Sequence, residues 1–219
     1  MEVHVLTTGA VRPKRATRGP RRYLPGGWSD ETLPVRAFLV EHPDGLCLFD
    51  TGQSARAAEP GYLPRWHPFI RLSRFELRPE DEAAAQLRRR GLRPESVRWI
   101  VLSHLHNDHV GGLAAFPGSE VLVSRLEWER SRGLRGRLRG FVPRQWPAGM
   151  EPTLVDFDGP AVGPFPASHD LAGDGSLLLV RTPGHTPGHM SLLAGGHLLA
   201  GDAPHVPDLP GVAVLGAHT

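Results

Sequence analysis

The sequence predicts a mixed α/β sandwich, and three observations carry that prediction. Strand-like apolar runs fall into two groups, one in each half of the chain. Stretches of helical character separate the runs of the first half, which is the signature of layers packed on a common core. Glycine and proline punctuate the chain throughout without any periodic repeat, so the elements are short and joined by many turns.

The elements follow in order. In "PVRAFLVEHPDGLCLFDTG", residues 35–40 and 46–49 are strand material and Pro43-Asp44-Gly45 supplies the turn of a hairpin. Residues 52–78 read as irregular, a long loop packed by Trp66 and Phe69. "RPEDEAAAQLRRRG" predicts a helix: acidic residues open it, arginines close it, and Gly91 suits the position after its end. "VRWIVLS" is a buried strand, "VGGLAAF" the first turns of a helix, "EVLVS" another strand and "RLEWERSR" a short helix. "GLRGRLRGFVPRQWP" reads as an exposed, glycine-broken connection. Three short strands follow within "SLLLVRTPGHTPGHMSLLAGGHLLAGD", and "GVAVLGAHT" is a last strand. The whole, residues 1–219, is expected to form one domain.

Composition excludes several classes. A net charge of +2 is too small to argue for a nucleic-acid partner, and the arginines of the 12–22 and 125–144 clusters lack interleaved aromatics that could stack bases. Cys47 is the only cysteine, so neither an intrachain disulfide nor a thiolate metal cluster can form. No apolar stretch reaches 18 residues and the N-terminus meets charge before any signal-peptide core, so no membrane segment is predicted and a cytoplasmic location is the expectation.

The chemistry concentrates in "SHLHNDHVGG", where three histidines and an aspartate occupy six positions, 104–109. If the strand ends near Ser103, His104 and His106 are two apart on an extended segment and point to one side. Asp108 and His109 follow where the chain turns into a helix and face the same space from another direction. Imidazoles and a carboxylate are ligands for zinc, iron or manganese, and burying three histidines together without a cation carries a penalty. A second cluster, "TPGHTPGH", holds His185 and His189 in a tight Pro/Gly loop after a strand. A third, "LLAGDAPH", ends an apolar strand at Asp202, with His205 three residues on.

Together these stretches resemble the metallo-β-lactamase superfamily, over most of the chain from "LFDTG" to "AGDAPH". The resemblance implies a four-layer αββα sandwich, here with a shortened C-terminal part, and two divalent metal ions, zinc first with iron or manganese as alternatives. It implies His104, His106 and His185 on the first ion, Asp108 and His109 on the second, and Asp202 bridging both. Asp50 of "FDTG" would support the metal loops, and His189 matches a position beside the ligands rather than among them. Within the superfamily the motifs look most like the N-acyl-homoserine lactone lactonases. That group carries a tyrosine three residues after the bridging aspartate, where this chain has His205; a histidine can also donate to an oxyanion.

The C-terminus departs from the family, which completes its second metal site with a histidine after a further helix and strand. "GVAVLGAH" has the look of that strand, which makes His218 the matching ligand. Eight residues, "APHVPDLP", precede it, fewer than the dozen or so of a helical crossover. An extended connection at about 3.3–3.6 Å per residue can reach.

The function expected is hydrolysis of a lactone or ester of the N-acyl-homoserine lactone kind by a hydroxide bridging two metals about 3.5–4 Å apart, with Asp108 or Asp202 relaying a proton and His205 assisting. A small-molecule substrate and a two-fold homodimer are the expected partners. Two alternatives stand beside it: a related metallo-hydrolase of a thioester, β-lactam or phosphoester, and a weakly catalytic metal-binding homologue with an incomplete second site. Tyr62, Trp66, Phe69, Trp128, Phe141 and Trp146 are the aromatics available to contact an acyl chain or to pack their own loops.

Overall fold

The structure, a computed structural model, describes residues 1–14, 27–64, 68–143 and 146–216. His218, Trp66, Arg144 and the arginines at 15–22 lie outside the described residues, as does the side chain of Phe69. Twelve strands form two sheets among the described residues. The first is built from β1 (Glu2–Pro13), β2 (Leu33–His42), β3 (Gly45–Phe49), β4 (Ser73–Glu76), β5 (Val97–Val101), β6 (Glu120–Ser124) and β7 (Thr153–Val155), in the order β4-β1-β2-β3-β5-β6-β7. The second holds β8 (Ser168–Asp170), β9 (Leu177–Arg181), β10 (Met190–Ala194), β11 (His197–Gly201) and β12 (Ala213–Gly216), in the order β12-β11-β10-β9-β8.

Period-two alternation explains the stacking. Phe38, Val40, Cys47, Phe49, Trp99 and Val101 face the second sheet, where Leu179, Met190 and Leu192 meet them. Their neighbours Ala37, Leu39, Leu48 and Ile100 face the other way, onto a helical layer. That layer includes α2 (Ala83–Arg89), which buries Ala83, Ala84 and Leu87 and ends before Gly91 at φ 77°. The outer face of the second sheet is covered, among the described residues, by connections instead: Phe165, Val206, Leu209 and Val212 pack on Val180 and Leu198. Cys47 is fully buried, and burial pushes its thiol up to about 12, so it behaves as a small hydrophobe.

The β2–β3 hairpin forms as predicted, His42 opposite Gly45, with Gly45 at φ 139° in a conformation that favours glycine. The 52–78 stretch is less irregular than expected. It contains a 3₁₀ turn at Ala55–Ala58, α1 (Pro68–Leu72) and β4, whose order comes from pairing with β1 rather than from local pattern. The helix predicted over "VGGLAAF" starts earlier, as α3 (Asn107–Val110), and gives way at Gly111 to a separate 3₁₀ turn, Leu113–Ala115. After α4 (Arg125–Arg130), the predicted exposed connection forms α5 (Gly133–Leu138) and drives Phe141 to full burial in the core. Gly136 permits this, because any Cβ there would run into the carbonyl of Ser131. β12 pairs parallel to β11 after an extended connection, with no helix between them.

Of the two arginine clusters, Arg12 pairs with Glu76 at 2.6 Å, Arg125 is bonded to Asp156, and Arg132 lies over the Trp128 ring. No helix among the described residues is long and apolar enough to cross a membrane.

Candidate metal centre

β3, β5 and β6 run parallel, so their C-terminal ends reach one edge of the first sheet, where α/β folds place their sites. Asp50 follows β3, His104 and His106 follow β5, and α3 carries Asp108 and His109. The second sheet brings His185 and His189 from the loop after β9, and Asp202 from the end of β11.

Two groups of donors converge. His104, His106 and His185 each present one ring nitrogen to a shared point, and His104, His109 and Asp202 form a second group. His106 Nδ1 lies 3.0 Å from His104 Nε2 and 3.0 Å from His185 Nε2. The tautomers follow from the outer partners. His106 Nε2–H donates to the carbonyl of Arg139 at 2.9 Å, which leaves Nδ1 as the inward lone pair. Ser103 Oγ donates its one hydrogen to Asp50 Oδ2, so it accepts from His104 Nδ1–H at 3.0 Å and leaves His104 Nε2 as the inward lone pair. Lone pairs aimed at one another at these distances repel unless a cation lies between them, and imidazoles with carboxylates are the donor set of a divalent transition metal.

The second group is braced by Asp50. Its Oδ1 accepts the N–H of Ser103 at 2.8 Å, and its Oδ2 accepts His109 Nδ1–H at 2.8 Å. Asp50 is the one described non-glycine residue with positive φ, at 62°, a conformation aspartate tolerates better than most. His109 Nε2 is thereby turned to Asp202, whose Oδ2 lies 3.5 Å from it and 3.5 Å from His185 Nε2. Asp202 thus spans the two groups. Asp108 is buried beside them, and its Oδ1 has no hydrogen-bond partner among the described residues, an oxygen available to a cation or a proton.

Burial pushes His104 well below the usual histidine value and His106 down to about 4, so both are neutral imidazoles at neutral pH. Burial also works against a charged His109, but Asp50 and Asp202 outweigh it and hold that ring well above the usual value. A cation bound at His109 must therefore displace a proton, whereas one at His106 need not until strongly acid pH. Metal affinity at His109 is expected to rise with pH through the neutral range, more steeply than at His104 and His106, whose rings are already neutral there. Zinc competition against a chelating dye across that range tests this, and equal slopes for the two ions would contradict it.

His189 is not in either group. Its Nε2 accepts the N–H of Asp202 at 3.3 Å and its Nδ1 faces Thr182 Oγ1 at 2.9 Å, so it holds the backbone beside a ligand, with burial pushing it to about 3. His205 is exposed and is not among the residues lining the cavity over the site. That cavity, about 580 Å³, is bounded by His106, Asp108, His185 and Asp202 and by the aliphatic side chains of Val11, Leu33, Val206 and Val214. The described aromatics available to an acyl chain do not line that cavity and take the other role open to them, packing. Trp128 and Trp146 stack on each other at 5.4 Å, Tyr62 lies under Arg56, and Phe141 is buried against the His106 ring.

One functional neighbour went unread in the sequence. Glu127 is fully buried, and its carboxylate accepts the N–H of Leu105 at 3.1 Å and of Gly188 at 3.2 Å. The available signal was "SRLE", Ser124 through Glu127, which has the spacing of a helix capping box. Ser124 does cap α4, accepting from the N–H of Glu127, but the carboxylate turns to the two loops instead of back to the cap.

The description "Metallo-beta-lactamase superfamily" matches residues 30–214. N-acyl homoserine lactonase AttM of Azorhizobium caulinodans is 33% identical over 176 residues, 77% of this chain and 62% of that protein. A probable metallo-hydrolase of Mycobacterium tuberculosis is 37% identical over 186 residues, 78% of this chain and 57% of that one. The chain therefore spans less than two thirds of the length of these relatives. Among solved structures, an N-acyl homoserine lactone hydrolase with the product N-hexanoyl-L-homoserine at its catalytic metal centre superposes with a TM-score of 0.68 at 24% identity, covering 91% of this chain and 74% of that one. The two stacked sheets, the donors gathered at their common edge and the match over residues 30–214 agree, and the chain belongs to the metallo-β-lactamase superfamily.

Proposed function

We propose that the chain is a metal-dependent hydrolase that opens lactone or ester bonds, with N-acyl-homoserine lactones as the substrate class. The observation that carries this is the convergence of His104, His106 and His185 at 3.0 Å spacings, with Asp202 joining them to His109. In this reading His104, His106 and His185 hold one divalent ion, Asp108 and His109 a second, and Asp202 bridges, with zinc as the metal. Gly216, two residues before His218, lines the same cavity, which supports His218 as the further ligand of the second ion.

Bound ions supply Lewis acidity and a water acidified toward neutral pH. The protein's own residues do the rest. Arg139 and Ser103 fix the tautomers of His106 and His104, and Asp50 fixes that of His109, so the donors are preorganised. In this reading the Asp108 carboxylate, which lines the cavity, carries a proton to the leaving alkoxide. The aliphatic wall of Val11, Leu33, Val206 and Val214 takes an acyl chain by burying apolar surface, at roughly 25 cal/mol per Å².

Metal analysis of the purified chain paired with turnover tests the reading. About two metals per chain with ring opening of acyl-homoserine lactones is the expected result. Metal binding with turnover only on thioesters, β-lactams or phosphoesters would reassign the substrate, and no metal with no turnover would overturn the proposal.

A further inference from the structure

We propose that Glu127 is a positioning residue that sets the distance between the two loops supplying the three-histidine group. The inference rests on the reading of His104, His106 and His185 as ligands of one cation. His106 is extended (φ −71°, ψ 153°), His104 and His106 face the site, and Leu105, fully buried, points into the core. That orientation leaves the N–H of Leu105 aimed away from the strand ladder, where a buried donor needs an acceptor. Glu127 Oε1 is that acceptor.

The other loop is held by the same helix turn. Gly188, three residues after His185, gives its N–H to Glu127 Oε2, and its carbonyl accepts Ser124 Oγ–H at 2.5 Å. No other residue fits, since a Cβ at 188 would collide with the backbone of Glu127. A single carboxylate on the first turn of α4 therefore ties an N–H beside His104 and His106 to an N–H beside His185 and His189. Leu105 and Gly188 are 83 positions apart in the sequence; a backbone bond from Met190 N–H to the Ser103 carbonyl, 3.0 Å, joins the same two segments where they meet their strands, and Glu127 adds the ties closer to His106 and His185. Loss of either Glu127 tie leaves the Met190–Ser103 and Ser124–Gly188 bonds to hold the segments, and the 3.0 Å spacing of His106 and His185 is then less firmly set.

Glu127→Gln is the sharpest probe, because volume and shape are kept while one of the two acceptor oxygens becomes an NH₂ group. That group must face either the Leu105 or the Gly188 donor, so one tie is replaced by a repulsion. Titration of the metal-free protein with cobalt(II), followed by its visible absorption, reads the ligand geometry independently of turnover. Cobalt affinity is expected to fall about 10–100-fold in the variant, with a changed absorption envelope. Ser124→Ala, which removes only the bond to the Gly188 carbonyl and the helix cap, is expected to shift both readouts in the same direction by less.

A thermal melt of each metal-free protein separates positioning from mere support. A lowered melting temperature with unchanged cobalt affinity and spectrum in Glu127→Gln overturns the proposal. Should Glu127→Gln fail to fold, wild-type behaviour of Ser124→Ala in the cobalt titration overturns it equally. Failure of the wild-type protein to bind cobalt would instead refute the metal reading on which the proposal stands.

Discussion

Asp202→Ala is expected to abolish measurable hydrolysis and to reduce metal content from about two ions per chain to one or fewer. Asp202 Oδ2 is the one described carboxylate oxygen within 3.5 Å of donors from both groups, His109 Nε2 and His185 Nε2. In the proposed reading its removal takes away the shared ligand and also the negative charge that faces the His109 ring. Loss of a residue that merely orients a ligand costs about 10–100-fold in affinity or activity, so loss of the shared ligand proposed here should exceed that range. Stripping the wild-type protein with a chelator should reproduce the loss, and returning zinc should restore turnover to the wild type and leave the variant inactive. Turnover of Asp202→Ala within tenfold of wild type would remove Asp202 from the centre.

The second large effect is on stability. Asp50→Ala is expected to destabilise the protein by about 3–5 kcal/mol, the usual consequence of removing one partner of a buried ion pair. Asp50 is fully buried, and its carboxylate is the acceptor for Ser103 N–H, Ser103 Oγ–H and His109 Nδ1–H. All three donors would be left without it. Alanine at φ 62° adds about 1–2 kcal/mol of left-handed strain that aspartate bears more easily. A fall in melting temperature on the order of 10 °C follows for a chain of this size. Metal uptake should weaken too, because only Ser103 Oγ, 3.5 Å away, would remain beside His109 Nδ1. An Asp50→Ala protein that melts with wild type would show that the three-way network contributes little.

Where the sequence was legible, the reason is local. The β2–β3 hairpin combined a two-sided alternation with Pro-Asp-Gly turn chemistry, and the structure pairs His42 with Gly45. The α2 helix had its charges and its terminal glycine in the favoured places. Elements that failed to show lacked such local support. β1, a 12-residue strand, is broken by a register shift between Thr7 and Ala10, and its order comes from pairing on both sides with β2 and β4. α5 is too rich in glycine to be read as a helix, and it forms because Gly136 packs on the Ser131 carbonyl and Phe141 enters the core. Of the aromatics available to an acyl chain or to loop packing, the described ones pack on each other, under an arginine or against the His106 ring, and aliphatic residues line the cavity.

The candidate centre divides along the same line. The identity and order of its candidate donors, His104, His106, His109, His185 and Asp202, with Asp108 buried beside them, are written in short motifs because each motif ends a strand, and alternation decides which side its residues face. The tertiary structure alone decided which lone pairs meet, that Asp50 turns His109 toward Asp202, and that Glu127 ties the two histidine loops together. Those contacts join residues dozens of positions apart. Local periodicity encodes the face a side chain takes, and only the packing of the two sheets determines what it faces.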